Sequence, residues 1–203
     1  MSSATILYLV RHGEVATAKR FYGHLDVPLS EVGLVQMEAA ADALAGQPIA
    51  AVLASDLSRA TIGAERIAGR HGLSPICDPA FREMSLGELE GVGFEDARAR
   101  VPEIAAKRYR DMWSYRFPGG ENLIDVAARV FPALDARLEE HAGSTLVLVA
   151  HNSVNRLVLG RALGLPDGQV FDFDQDFGAV SRVRYDADGQ ARVQLLNWTP
   201  GPP

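Results

Sequence analysis

Two short apolar runs, Leu7-Tyr8-Leu9-Val10 and Leu146-Val147-Leu148-Val149-Ala150, constrain this chain more than any other feature. Each reads as a buried strand, and each stops abruptly: the first at Arg11-His12-Gly13-Glu14, the second at His151. Strands are predicted over 5–10 and 145–150, and further β-rich runs fall at 50–54, 74–77, 179–185 and 192–197. Between several of these runs lie long, alanine-rich segments of helical period. That alternation predicts an α/β fold with a mostly parallel central sheet.

Local signals place the connections. Ser30 suits the N-cap of a helix running to about Ala45, where Gly46 and Pro48 end it. Ser58 reads as the cap of a second helix reaching about Arg70. Another amphipathic helix is expected over 121–141, after the break at Pro118-Gly119-Gly120. Asp186-Ala187-Asp188-Gly189 is turn-rich and joins the last two strands as a hairpin. The stretch 94–116 is helical in tendency and carries Arg98, Arg100, Lys107, Arg108, Arg110 and Arg116 among Tyr109, Trp113 and Tyr115. It reads as an excursion from the sheet rather than a second domain.

Composition bounds the rest. With 203 residues, 47% of them hydrophobic, the chain suffices for one well-packed domain over 1–203. A formal net charge of -6 and a pI near 5.4 argue against nucleic acid as the partner. An acidic chain that binds an anion must concentrate its positive charge locally, so individual arginines matter more than the total. The single cysteine, Cys77, excludes an intramolecular disulfide and cannot build a thiolate metal site alone. It reads as a small buried hydrophobe beside a strand. No signal-peptide pattern opens the chain, and no stretch approaches the ~20 apolar residues that span a membrane. The expectation is a soluble, cytoplasmic protein, monomer or homodimer, with no membrane partner.

Functional groups of an open α/β sheet collect beyond the carboxyl ends of its strands. Those ends offer Arg11 and His12, then Ser55-Asp56-Leu57-Ser58-Arg59, then His151 and Asn152. Arg59 falls in the first turn of its helix, where the backbone already favours an anion. These residue types fit phosphoryl transfer, which needs fixed positive charge around the non-bridging oxygens. Arg11 and Arg59 present paired donors that lysine cannot match. His12 as nucleophile must be neutral at its attacking nitrogen, and adjacent guanidinium groups push its pKa down. Gly13, lacking a Cβ, lets the backbone approach the phosphate, and His151 is expected to be a cationic donor. A proton for the leaving alkoxide must come from a carboxyl group such as Glu83, Glu88 or Glu90; spacing alone does not choose among them.

In these motifs the chain resembles the histidine phosphatase superfamily, on the branch of the cofactor-dependent phosphoglycerate mutases. Arg11-His12-Gly13-Glu14 stands where that family has its nucleophile motif. Phe21-Tyr22-Gly23 with Asp26, Leu29, Ser30 and Gly33 follows, then Ser55 to Arg59-Ala60. Phe81-x-Glu83-x-x-x-Gly87-x-Leu89-Glu90-Gly91 is similar to the family's general-acid segment, and Pro118-Gly119-Gly120-Glu121 and Val149-Ala150-His151 complete the order. The resemblance implies a three-layer α/β/α sandwich with a helical lid insertion at about 92–120. It implies a phosphohistidine on His12, Glu83 as general acid and base, and a phosphate pocket of Arg11, Arg59, His12 and His151. Substrate contacts are expected from Gly13, Tyr22, Gly23 and Asn152, with no metal and no cofactor. The implied substrate is a small phosphorylated metabolite, and short phosphatases acting on α-ribazole phosphate or on sugar and nucleoside phosphates look most similar.

Two departures stand out. Ala18 replaces an Asn that commonly helps hold the phosphate, and Asn152 replaces the usual Gly after the second histidine. The Asn152 amide can still donate, and its side chain can make up part of what Ala18 lacks. Beside the phosphatase stand a phosphoglycerate mutase and a binding member without turnover, which would need neither His12 nor Glu83. His24 belongs to the pocket rim or to packing, and His71 and His141 sit where helices end. The lid arginines read as a solvated face, with one or two reaching substrate.

Overall fold

The computed structural model describes residues 4–17, 19–100 and 113–201. Ala18, Lys107, Arg108, Tyr109 and Arg110 lie outside the described residues, as do the side chains of Arg98 and Arg100. Six strands, β1 (Thr5–Arg11), β2 (Ile49–Ala54), β3 (Ile76–Cys77), β4 (Thr145–Ala150), β5 (Val180–Tyr185) and β6 (Ala191–Trp198), form one sheet in the order β3-β2-β4-β1-β5-β6. The β1–β4, β2–β4 and β2–β3 pairs are parallel, and β5 alone runs against its neighbours β1 and β6. The helices are α1 (Glu31–Leu44), α2 (Ser58–Arg70), α3 (Phe94–Arg100), α4 (Leu123–Glu140) and α5 (Asn152–Leu163).

Strand alternation sorts the helices into two layers. Leu7, Leu9, Leu146 and Leu148 point to one face, where Leu123, Val126, Val130 and Leu134 of α4 and Val154 and Val158 of α5 cover them. Tyr8, Val10, Val147 and Val149 point to the other, against Met37 and Ala40 of α1 and Ala60, Ala64 and Ile67 of α2. Burying each leucine or valine of this kind contributes about 1.5–3 kcal/mol. The result is the expected α/β/α sandwich, with β1 and β4 central. No helix among the described residues is long and apolar enough to cross a membrane.

The helix starts depart in instructive ways. Ser30 caps α1 as expected, its Oγ accepting from Gly33 N at 3.0 Å. Ser58 does not cap α2; it is the first helical residue, and the N-cap Leu57 offers no side chain. The cap comes from 32 residues away, where Asp26 Oδ1 accepts from both Ser58 N (2.9 Å) and Ser58 Oγ (2.7 Å). α4 begins with a capping box in which Asn122 Oδ1 accepts from Asp125 N and the Asp125 carboxylate accepts from Asn122 N. His71 and His141 are the C-cap residues of α2 and α4. The β5–β6 hairpin turns through Asp186 to Gly189, where Gly189 takes a positive φ of 81°. Cys77 is exposed, contrary to the sequence reading, because β3 is a two-residue strand at the edge of the sheet.

Of the expected lid, α3 and the stretch 113–120 are described. Trp113 and Tyr115 pack onto the face covered by α4 and α5, and Phe117 is fully buried there. Arg116 pairs with Asp125 at 2.6 Å.

Candidate active site

Register brings the two histidines together. Arg11 of β1 stands opposite Ala150 of β4, and His12 N donates to Ala150 O at 3.0 Å. The next residue on each strand is therefore a histidine, and the rings of His12 and His151 lie 5.1 Å apart, inclined at 62°. Both are buried, His12 at 6% exposure and His151 at 0%. His12 Nδ1 is 2.7 Å from Gly13 O. A carbonyl only accepts, so Nδ1 carries the proton and the lone pair is left on Nε2.

Burial holds both imidazoles well below the usual histidine pKa, and the guanidinium groups of Arg11 and Arg59 push the same way. Before an anion binds, that direction favours the neutral form of His151. Neither of its ring nitrogens has a hydrogen-bond partner among the described residues. A neutral histidine still donates one N–H.

Arg59 is 1% exposed and leaves the first turn of α2 toward the histidines. Its NH1 donates to Leu25 O at 2.9 Å and its NH2 to Gly23 O at 2.7 Å, which fixes the guanidinium plane. Gly23 takes φ +50°, and a Cβ there would come within 2.4 Å of Glu90 Oε1. Tyr22 beside it is half-buried. Arg11 lies 4.0 Å over the ring of Phe177 and donates to Gln175 O. Its pKa is pulled down to about 10 by burial, with Glu83 opposing.

Gly13 has a packing reason beside the approach to phosphate expected of it. A Cβ there would meet Gly33 O at 2.3 Å, and one on Gly33 would meet Glu14 O at 2.0 Å. The turn after His12 and the first turn of α1 cross at a distance that only two glycines allow. Ser30 N to Glu14 O and Glu14 N to Gln36 Oε1 (2.9 and 2.8 Å) sew the same crossing.

The three carboxyl candidates separate clearly. Glu88 is exposed. Glu90 Oε1 accepts from His24 N, Ser85 Oγ and Leu86 N at 2.9–3.0 Å, so it braces a loop. Glu83 is tied to the start of the helix that follows His151: Oε1 accepts from Met84 N at 2.8 Å and Ser153 N at 3.2 Å, and its charge opposes the effect of burial on Arg11 and Arg59. Ser153 N belongs to the first turn of α5. Asn152 lies at the same helix start, with Oδ1 accepting from Arg156 Nε at 2.9 Å. That bond engages only its carbonyl oxygen, an acceptor that could not itself hold a phosphate.

Sequence reasoning missed Phe177 and Gln175, which lie far along the chain and return because β5 pairs with β1. Asp26 and Gly33 were placed in a family motif but given no role, and Arg129 was missed; none of the three sits at a strand end. Among the described residues, no group of three or more His, Cys, Asp or Glu side chains is placed to hold a metal ion.

Known proteins resemble this chain in sequence and in fold. The chain is 35% identical over 162 residues to the "Probable phosphoglycerate mutase GpmB" of Yersinia pestis, covering 79% of this chain and 75% of that one. It superposes on a mycobacterial glucosyl-3-phosphoglycerate phosphatase with a TM-score of 0.86 at 28% identity, covering 96% of this chain and 99% of that one. An alpha-ribazole phosphatase from Shigella flexneri gives 0.84 at 27% identity, over 96% of each chain. A family model described as "Histidine phosphatase superfamily (branch 1)" matches residues 7–199, from the strand that delivers His12 to beyond the hairpin. The chain belongs to the histidine phosphatase superfamily.

Proposed function

We propose that this chain hydrolyses a small phosphomonoester in two steps through a phosphohistidine on His12. The observation that carries the reading is the fixed tautomer: His12 Nδ1 is held by Gly13 O, and Nε2 keeps a lone pair in the field of half-buried Arg11 and buried Arg59. In the first step Nε2 forms a bond to phosphorus while the P–O bond to the alcohol breaks, and Glu83 gives its proton to the leaving oxygen. Arg11, Arg59 and the N–H of His151 stabilise the three equatorial oxygens, each such donor being worth about 10²–10³ in rate. In the second step Glu83 takes a proton from water, the water oxygen attacks phosphorus, and the N–P bond breaks to release phosphate.

Gly23 serves by holding Arg59, and the N-terminal amides of α5, that of Asn152 included, favour the anion. Tyr22 lines the rim, and Gly13 lets the nucleophile loop pass α1. Glucosyl-3-phosphoglycerate and alpha-ribazole phosphate, named for two similar structures, are the first substrates to try. A mutase is the second reading, favoured by the 35% identity to the relative of that name. A mutase returns the phosphoryl group to an organic acceptor, whereas this reading releases inorganic phosphate.

The test is phosphate release with EDTA present, from p-nitrophenyl phosphate, 3-phosphoglycerate and the two esters just named, for wild type and His12→Ala. Chelator-resistant release that the variant loses supports the proposal. Equal release by both proteins refutes the assignment of His12, and isomerised phosphoglycerate without phosphate supports the mutase.

A further inference from the structure

We propose that Arg129, clamped by Glu121, is the positioning residue of Glu83: it fixes where the acid stands and does not itself touch substrate. The inference rests on the reading of Glu83 as general acid. Residues 82–86, which carry that acid, form neither helix nor strand, so their carbonyls have no ladder to bond to. Arg129 supplies the missing partners from the side of α4. Its NH1 donates to Ala80 O and Arg82 O, both at 2.8 Å, and its NH2 donates to Glu83 O at 2.9 Å. Nε and NH2 donate to the two oxygens of Glu121, at 2.9 and 2.8 Å. That makes five bonds for the five N–H donors of a guanidinium, leaving none for a ligand.

Glu121 closes the clamp on the other side. Its Oε2 also accepts from Ser85 N at 2.8 Å, while Glu121 N donates to Ser85 O at 2.9 Å. His24 Nε2, 2.8 Å from Glu83 O, adds a second donor to the carbonyl that Arg129 holds. The base of the clamp is rigid because α4 is anchored by its capping box and by buried Leu123, Val126, Val130 and Leu134. The backbone of Glu83 is thus fixed by α4 and its carboxyl by Ser153 N of α5. A general acid must lie within hydrogen-bond reach of the leaving oxygen, and a shift of about 1 Å costs on the order of 10²-fold. Lysine in this place keeps the charge but loses the fork.

An alkoxide leaving group needs the acid, whereas p-nitrophenolate leaves without one. The experiment is single-turnover quenched flow, with enzyme in excess, on β-glycerophosphate and on p-nitrophenyl phosphate. It compares wild type, Arg129→Lys, Glu121→Gln and the control Glu83→Gln, each shown to be folded by near-UV circular dichroism. Following the first turnover isolates phosphoryl transfer to the enzyme from later steps. Arg129→Lys is expected to slow transfer from β-glycerophosphate about 10–100-fold and from p-nitrophenyl phosphate by less than about 3-fold. Glu121→Gln, which keeps its shape and stands in should the arginine variant not fold, is expected to show the same selectivity at smaller size. Equal slowing of both esters, or no slowing of either, overturns the inference. If Glu83→Gln itself shows no preference between the esters, the assignment of Glu83 as acid fails, which is a separate outcome.

Discussion

Lowering the pH should destabilise this protein through His12 and His151, and the size of the effect follows from their burial. Both rings are neutral in the native state, held there chiefly by desolvation and then by Arg11 and Arg59. In the unfolded chain each returns to a pKa near 6.5. Above that value neither state binds a proton at these sites, and the native stability is fully present. Below it the unfolded chain takes up two protons that the native protein refuses, so stability is lost as the pH falls. The loss levels off once the pH reaches the depressed native values. While both rings stay neutral, the slope approaches about 1.4 kcal/mol per pH unit for each, or about 2.7 kcal/mol for the pair. Against a typical total of about 5–15 kcal/mol, this is large enough to measure. The assay is urea unfolding from about pH 8 to about pH 5.5 for wild type and for the double variant His12→Gln/His151→Gln. Subtracting the variant removes the carboxylates and the remaining histidines. The difference should fall steeply below 6.5, and saturating inorganic phosphate should flatten it, because a bound dianion raises both native pKa values. A flat difference without phosphate, or a wild type that gains stability in acid, would refute neutral histidines.

Two further substitutions probe the frame of the site. Gly13→Ala puts a Cβ within 2.3 Å of Gly33 O, backbone against backbone, so β1 and α1 must separate. A loss of about 1–3 kcal/mol in chemical unfolding and a marked loss of turnover are expected, because His12 moves with the turn. Asp26→Ala removes the remote cap of α2 and should cost about 0.5–2 kcal/mol in thermal or urea unfolding. Turnover should fall only modestly, since Leu25 O and Gly23 O still hold Arg59.

How much of this was legible in the sequence depends on how local each cause is. Strands β1 and β4, the Ser30 cap and the final hairpin follow from adjacent residues, and their ends came out within a residue or two. That sufficed to predict His12 and His151 at neighbouring strand ends. Helix α5 was not read: its N-cap is His151, whose side chain caps nothing, so no start signal marks it. Ser58 looked like a cap because the true one, Asp26, is remote. Spacing could not select Glu83 over Glu88 and Glu90, since the three differ in what surrounds them rather than in their order. The downward push on the His151 pKa was not legible either, because desolvation is set by the packed sheet and no local pattern reports it. Arg129 reads as an ordinary helix residue until the fold brings residues 80–83 against it.

The account stands or falls on a phosphoryl group carried by His12. The direct measurement is to mix Glu83→Gln, in which hydrolysis of the intermediate is slowed, with p-nitrophenyl phosphate, quench in alkali, and map the modified peptide by mass spectrometry. The prediction is one phosphoryl group on His12, stable in alkali and lost in mild acid, formed as fast as the first equivalent of p-nitrophenol. Steady turnover by the wild type with no phosphoryl group on His12, or with the label on another residue, would contradict the mechanism.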